Sequence, residues 1–162
     1  MATSNLEIQI SKTDNGTEAK LIGKLDGTSD YSPVPTNGIA KLALDFEAIT
    51  LIDSVGVQGW TKFMASIDPS VAITFKRCSV RIINQMNMFK GFCGGKTVAV
   101  DSFFAPYYCE SCDESSDFLV ESAPVIASGA STAPSMSCPK CNEKMEFDGV
   151  EARYFNFLKP GA

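Results

Sequence analysis

The sequence predicts an α/β chain in which a mixed sheet carrying helices is followed by a small β module built on cysteines. Three observations predict it: a strand, sharp turn and helix start in succession from Leu42 to Trp60, alternating apolar strands on either side of that junction, and the Cys-x-x-Cys pairs Cys109/Cys112 and Cys138/Cys141. At 162 residues and 44% hydrophobic content, the chain holds one ordinary core plus an appendage. The expected division is residues 1–104 for the sheet domain and 105–162 for the cysteine module.

Leu6 to Ile10 alternates as a strand with one solvated face, and Asp14-Asn15-Gly16 is a hairpin signal because Asn and Gly accept positive φ at little cost. Ala19, Leu21, Gly23 and Leu25 continue as a second strand that closes in Gly-Lys-Leu-Asp. Pro33, Pro35, Asn37 and Gly38 make Ser29 to Gly38 an extended loop. Leu42, Leu44 and Phe46 then alternate with Ala43 and Asp45, and Ile49, Leu51 and Ile52 keep the chain apolar up to the turn. Asp53 and Ser54 are both good N-cap residues, and from Val57 the apolar positions take helical spacing through Trp60, Phe63, Met64 and Ile67. Val71, Ile73 and Phe75 form another strand. Ser79 caps a helix running to about Phe89, with Ile82, Ile83, Met86 and Phe89 on one face. Gly91, Gly94 and Gly95 end it, and a last strand from Thr97 runs through Phe103 and Phe104 into the cysteines.

A hydroxyl at a helix start, delivered by a strand, sits where free backbone N–H groups and the helix dipole favour negative charge, so a phosphate on Ser54 is tolerated there. Ser54 or Asp53 acting simply as a cap, worth about 1 kcal/mol, explains the same residues.

The order of apolar strand, Ile-Asp-Ser-Val-Gly turn, apolar helix, second strand and helix resembles the STAS family, which includes anti-sigma factor antagonists and the cytoplasmic domains of sulphate transporters. The resemblance spans residues 5 to 103 and includes the Gly-Lys-Leu-Asp strand end. It implies a STAS-like mixed sheet in which Ser54 is the regulatory serine, phosphorylated by a partner kinase. It also implies that Asp53, Ser54, Val55 and Gly56 face a kinase or anti-sigma type regulator. Asp53, Ser54 and Gly56 fit the family turn, whereas Val55 stands where a second hydroxyl is common. The loop from Ser29 to Gly38 replaces the first family helix, which helps frame the partner face.

The chain contains no histidine, so a tetrahedral metal site must be built from Cys109, Cys112, Cys138 and Cys141, the layout of a zinc ribbon. Asn142 follows the second pair where a left-handed residue is required, with Asp113 as its equivalent after the first. Four thiolates leave Zn²⁺ at −2, and Lys140 and Lys144 lie near in sequence to offset it. Phe118 to Val120 suits a short strand, and residues 121–137, rich in Ala, Ser and Pro, read as a flexible loop. Met145 and Phe147, then Tyr154, Phe155, Phe157 and Leu158, provide apolar strands for packing. Disulfides, a redox Cys-x-x-Cys and rubredoxin-like iron are the competing readings of the pairs. Cys78 and Cys93 are expected to be buried packing residues.

No histidine base, no Gly-rich phosphate loop of the usual spacing and only scattered carboxylates argue against an enzyme. A net charge of −5 without a basic patch argues against nucleic acid. The amino terminus lacks a basic flank and apolar core for export, and no apolar run approaches the ~20 residues of a membrane span, so the expected location is cytoplasmic without membrane insertion. The expected function is a non-catalytic regulatory interaction module with structural zinc. A constitutive scaffold without a phosphoswitch, or an iron electron carrier, is the alternative.

Overall fold

The computed structural model describes residues 3–14 and 16–159. Strands β1 (Leu6–Thr13) and β2 (Gly16–Leu25) form an antiparallel hairpin in which Thr13 pairs with Gly16; the turn residue Asn15 lies outside the described residues. β3 (Lys41–Ile52), β4 (Ala72–Lys76) and β5 (Val98–Val100) then add in parallel, giving a mixed sheet of order β1-β2-β3-β4-β5. The period-2 pattern decides which face is covered: Ala19, Leu21, Leu42, Leu44, Ile73 and Phe75 are buried, and their odd-even neighbours Glu18, Lys20 and Lys76 are not. Helices α1 (Ser54–Ser66) and α2 (Val80–Met88) pack on the apolar side. Trp60 of α1 lies within 6.1 Å, centroid to centroid, of Phe46, Phe63, Phe75 and Phe92.

No helix forms between β2 and β3, as the prolines require. The loop covers the core instead: Tyr31 stacks on Phe63 at 4.6 Å and meets Trp60 edge-on, and Val34 is buried. Its end is anchored where Thr36 accepts from the Asp68 N–H at 2.7 Å.

The expected last strand does not stay in the first sheet. It breaks at Asp101, whose N–H donates to Phe75, and β6 (Ser102–Cys109) enters a second sheet of order β7-β6-β9-β8. Cys78 bridges the two sheets, donating to Ser102 and accepting from Phe104. β7 (Glu114–Glu121) pairs antiparallel with β6, and β8 (Met136–Ser137) with β9 (Lys144–Phe147). One apolar cluster runs through both sheets.

Two sequence expectations fail here for physical reasons. The tract at 121–137 contains a short helix, α3 (Ser122–Ala127), because Pro124 falls in its first turn, where a missing N–H costs nothing, and Val125 finds a buried site. Tyr154, Phe155, Phe157 and Leu158 are not strands: they belong to α4 (Glu151–Tyr154) and a 3-10 turn over Phe155–Leu158, which places Phe155 and Phe157 against Phe103. A short run of aromatics carries no period long enough to separate helix from strand. The amide of Asn87 in α2 donates to the Tyr154 carbonyl at 2.8 Å and ties the first layer to this C-terminal segment. No helix of the described residues is long and apolar enough to cross a membrane.

Candidate metal centre and the Ser54 turn

Each cysteine pair sits on a strand end and the turn that follows it. Cys109 ends β6 and Cys112 lies in the β6–β7 turn; Cys138 follows β8 and Cys141 lies in the β8–β9 turn. Both turns close through a left-handed residue, Asp113 at φ 51 and Asn142 at φ 62, as the sequence predicts. The second is held by Asn142 N–H to Cys138 O and Cys138 N–H to Glu143 O, both 2.8 Å. Tyr108 braces the first by donating its hydroxyl to Asp113 at 2.5 Å. The Lys140 ammonium lies 2.6 Å from Glu114, so it links the two turns to each other.

The four sulfurs all lie within 4.8 Å of one another, with Cys109 to Cys141 at 3.6 Å and Cys112 to Cys138 at 3.9 Å. Four ligands at the ~2.3 Å Zn–S bond length stand about 3.8 Å apart on a tetrahedron. The cluster is therefore positioned to bind a metal ion, and none of its cysteines is in a disulfide. Backbone N–H groups of Cys141 and Lys140 aim at Cys138 and bring its thiol down to about 7, while Cys112 is pushed up to about 12 by its contact with the Cys141 thiol and by burial. A cation placed among the four sulfurs would displace their remaining protons to solvent and bind the thiolates. Cys109 and Cys138 are buried and Cys141 is exposed, so the site lies at the rim of the second sheet.

Cys78 is fully buried, as expected, and desolvation raises its thiol well above the ordinary value. Cys93 is only half-buried, and burial pushes it up to about 11. Neither lies in the cluster.

At the organising junction Asp53, not Ser54, is the N-cap: its carboxylate accepts from the Gly56 N–H at 2.7 Å. Ser54 is the first helical residue and is exposed, as is Val55. Gly56 is buried against the end of β2, where an added Cβ would lie 1.9 Å from the Leu25 carbonyl oxygen. A shallow groove of about 320 Å³ opens beside Ser54, between α1 and the end of α2, with Val57, Gln58, Gln85 and Phe89 among its walls. Sequence reading missed these groove residues because α1 and α2 meet only in the fold. Phe89, assigned from spacing to the buried face of α2, is in fact 44% exposed.

No protein-family model matches this chain, and no curated protein matches it either.

Proposed function

We propose that this chain is a non-catalytic protein–protein interaction module similar to the anti-sigma factor antagonists of the STAS family. On this reading the Ser54 turn is presented to a kinase or anti-sigma type regulator, and structural zinc on Cys109, Cys112, Cys138 and Cys141 holds the second sheet. The observation that carries it is the state of Ser54, exposed at a helix start and relieved of capping by Asp53. Phosphorylation there adds close to two negative charges beside the Asp53 carboxylate and repels a partner that docks on the turn. The mixed sheet order and the parallel addition of β3 to β5 are consistent with the resemblance.

The test compares proteins captured from source-organism lysate by the parent chain and by Ser54→Asp, together with a search for the Ser54 phosphopeptide in native material. A kinase or sigma-regulating protein bound by the parent and lost by the charged variant supports the switch. An identical set of captured proteins, with no phosphopeptide under several growth states, overturns it. A constitutive scaffold is favoured by one observation: the loop at Ser29–Gly38 packs over the core without a helix to frame the partner face. Ser54→Ala and Ser54→Asp chains that assemble and signal like the parent would select that reading. Zinc is separated from iron by elemental analysis and colour after expression in iron-replete medium, since a colourless protein with one equivalent of zinc excludes a rubredoxin-like centre.

A further inference from the structure

A cavity of about 420 Å³ lies between the turn that follows α2 and the C-terminal 3-10 segment, and meets the Ser54 groove at Phe89. Three lysines line it, Lys90, Lys96 and Lys159, and its lining includes no Asp or Glu. Among the described residues none of the three is in an ion pair, although the chain as a whole is acidic. Asp68 senses Lys96 only at longer range. The remaining walls are largely apolar, with Phe92, Phe157 and Leu158 among them, and Thr97 also lines the space. The rim is fixed by backbone geometry. Gly94 and Gly95 are both left-handed, at φ 61 and 76, and a Cβ on Gly94 would meet the Ala65 backbone nitrogen of α1 at 2.6 Å.

We infer that this cavity binds a small organic phosphate with an apolar or aromatic body. Three lysines around one cavity, none in an ion pair among the described residues, exceed what a single carboxylate neutralises, whereas a phosphate monoester carries about −1.5 to −2 at neutral pH and offers three acceptor oxygens. The cavity volume falls in the range of small-molecule sites, roughly 300–1,000 Å³. Long Lys stems lie along apolar walls while their ammonium groups meet the anion, and the body of the ligand takes the place of water against Phe157 and Leu158. The site shares Phe89 with the Ser54 groove and no residue with the metal centre.

The test titrates the full-length chain with adenosine monophosphate and with dodecyl phosphate, and with adenosine, dodecanol and inorganic phosphate as controls. Calorimetry reads binding, and Trp60, 5.7 Å from Phe92, offers a fluorescence signal. Binding of either organic phosphate, at least about tenfold tighter than its neutral body or phosphate alone and weakened by added salt, is the expected result. Adenosine monophosphate alone would assign an aromatic body and dodecyl phosphate alone an acyl one. The Lys90→Gln/Lys96→Gln/Lys159→Gln variant should lose at least about tenfold in affinity with an unchanged circular dichroism spectrum. No binding of either phosphate up to about 1 mM, or equal binding by parent and variant, overturns the assignment. If the triple variant fails to fold, Lys90→Gln alone and the salt dependence of the parent decide the same question.

Discussion

Arg77 stands in the left-handed region at φ 47, and from there its guanidinium closes over the carboxylate of Asp45, which is completely buried in β3. The same guanidinium reaches Glu47 at 2.9 Å, and the Arg77 N–H donates to the Ser102 hydroxyl at 3.0 Å. One residue thus satisfies a buried charge in the first sheet and holds the strand that enters the second.

The two halves of that pair are unequal, which sets a first prediction. Arg77→Ala leaves a fully buried carboxylate unpaired and should cost about 3 kcal/mol or more. Asp45→Asn leaves a guanidinium that is 36% exposed and can turn to water, so it should cost clearly less. Denaturant unfolding of both variants checks the order. Equal losses would mean that the pair acts through its backbone geometry and not through the buried charge.

Gly56 and Gly59 lie on the same helix and should respond in opposite ways to alanine. At Gly56 the added carbon collides with the Leu25 backbone, so Gly56→Ala must displace α1 and should lose at least ~2 kcal/mol. At Gly59 nothing lies within 4 Å, and Gly59→Ala should gain roughly 0.5–1 kcal/mol through helix propensity. Thermal unfolding midpoints read both.

Capping at the turn rests on Asp53 and not on Ser54. Asp53→Ala should cost about 1 kcal/mol, and Ser54→Ala should stay within ±0.5 kcal/mol, since the Ser54 hydroxyl caps nothing. A Ser54→Ala loss as large as that of Asp53→Ala would return the hydroxyl to a structural role.

Removing the metal should unfold the second sheet selectively. A strong chelator, or Cys138→Ser, is expected to abolish the near-ultraviolet signal of Tyr107 and Tyr108 and to open β6 to β9 to hydrogen exchange, because a metal held by four thiolates supplies folding free energy to the strands that carry it. Exchange protection in β6 to β9 that is unchanged after complete metal removal would show that the apolar cluster alone suffices.

Alkaline pH offers a fifth check. Burial pushes the phenols of Tyr31 and Tyr107 up to about 12 and raises Tyr154 further. The folded chain therefore keeps protons that the unfolded chain loses from about pH 10, and the stability this contributes is present below pH 10 and disappears as pH rises through 12. Absorbance at the phenolate band should stay low past pH 10 and climb together with unfolding. A gradual rise centred on 10 in the still-folded protein would contradict the burial of these rings.

The alternating strands, the two helix starts and both cysteine turns are legible in the sequence because each rests on local chemistry: a period of two, a capping side chain, a residue that tolerates positive φ. Asp53, Ser79, Asp113 and Asn142 all behave as their residue types dictate. What escapes the sequence depends on partners distant along the chain. Asp45 reads as an alternating polar position of a strand and gains its meaning only from Arg77, 32 positions later. Residues 97–104 read as one continuous strand, and only the bridge to Cys78 shows where it changes sheets. The same holds for the lysine-lined cavity, whose walls come from segments that no periodicity connects.

The bridge at Cys78 also orders events during synthesis on the ribosome. The hydrogen-bond partners of Cys78, Ser102 and Phe104, lie on the strand that ends in Cys109. The amino-terminal sheet therefore waits with an open edge until the strand bearing the first sulfur has emerged. Cys141 follows Cys109 by 32 residues, a lag of about 2 to 6 seconds at ordinary translation rates. Over that interval the nascent chain holds a nearly finished first layer and a half-made thiol cluster, and the C-terminal turn that sets Phe155 and Phe157 against Phe103 has yet to emerge.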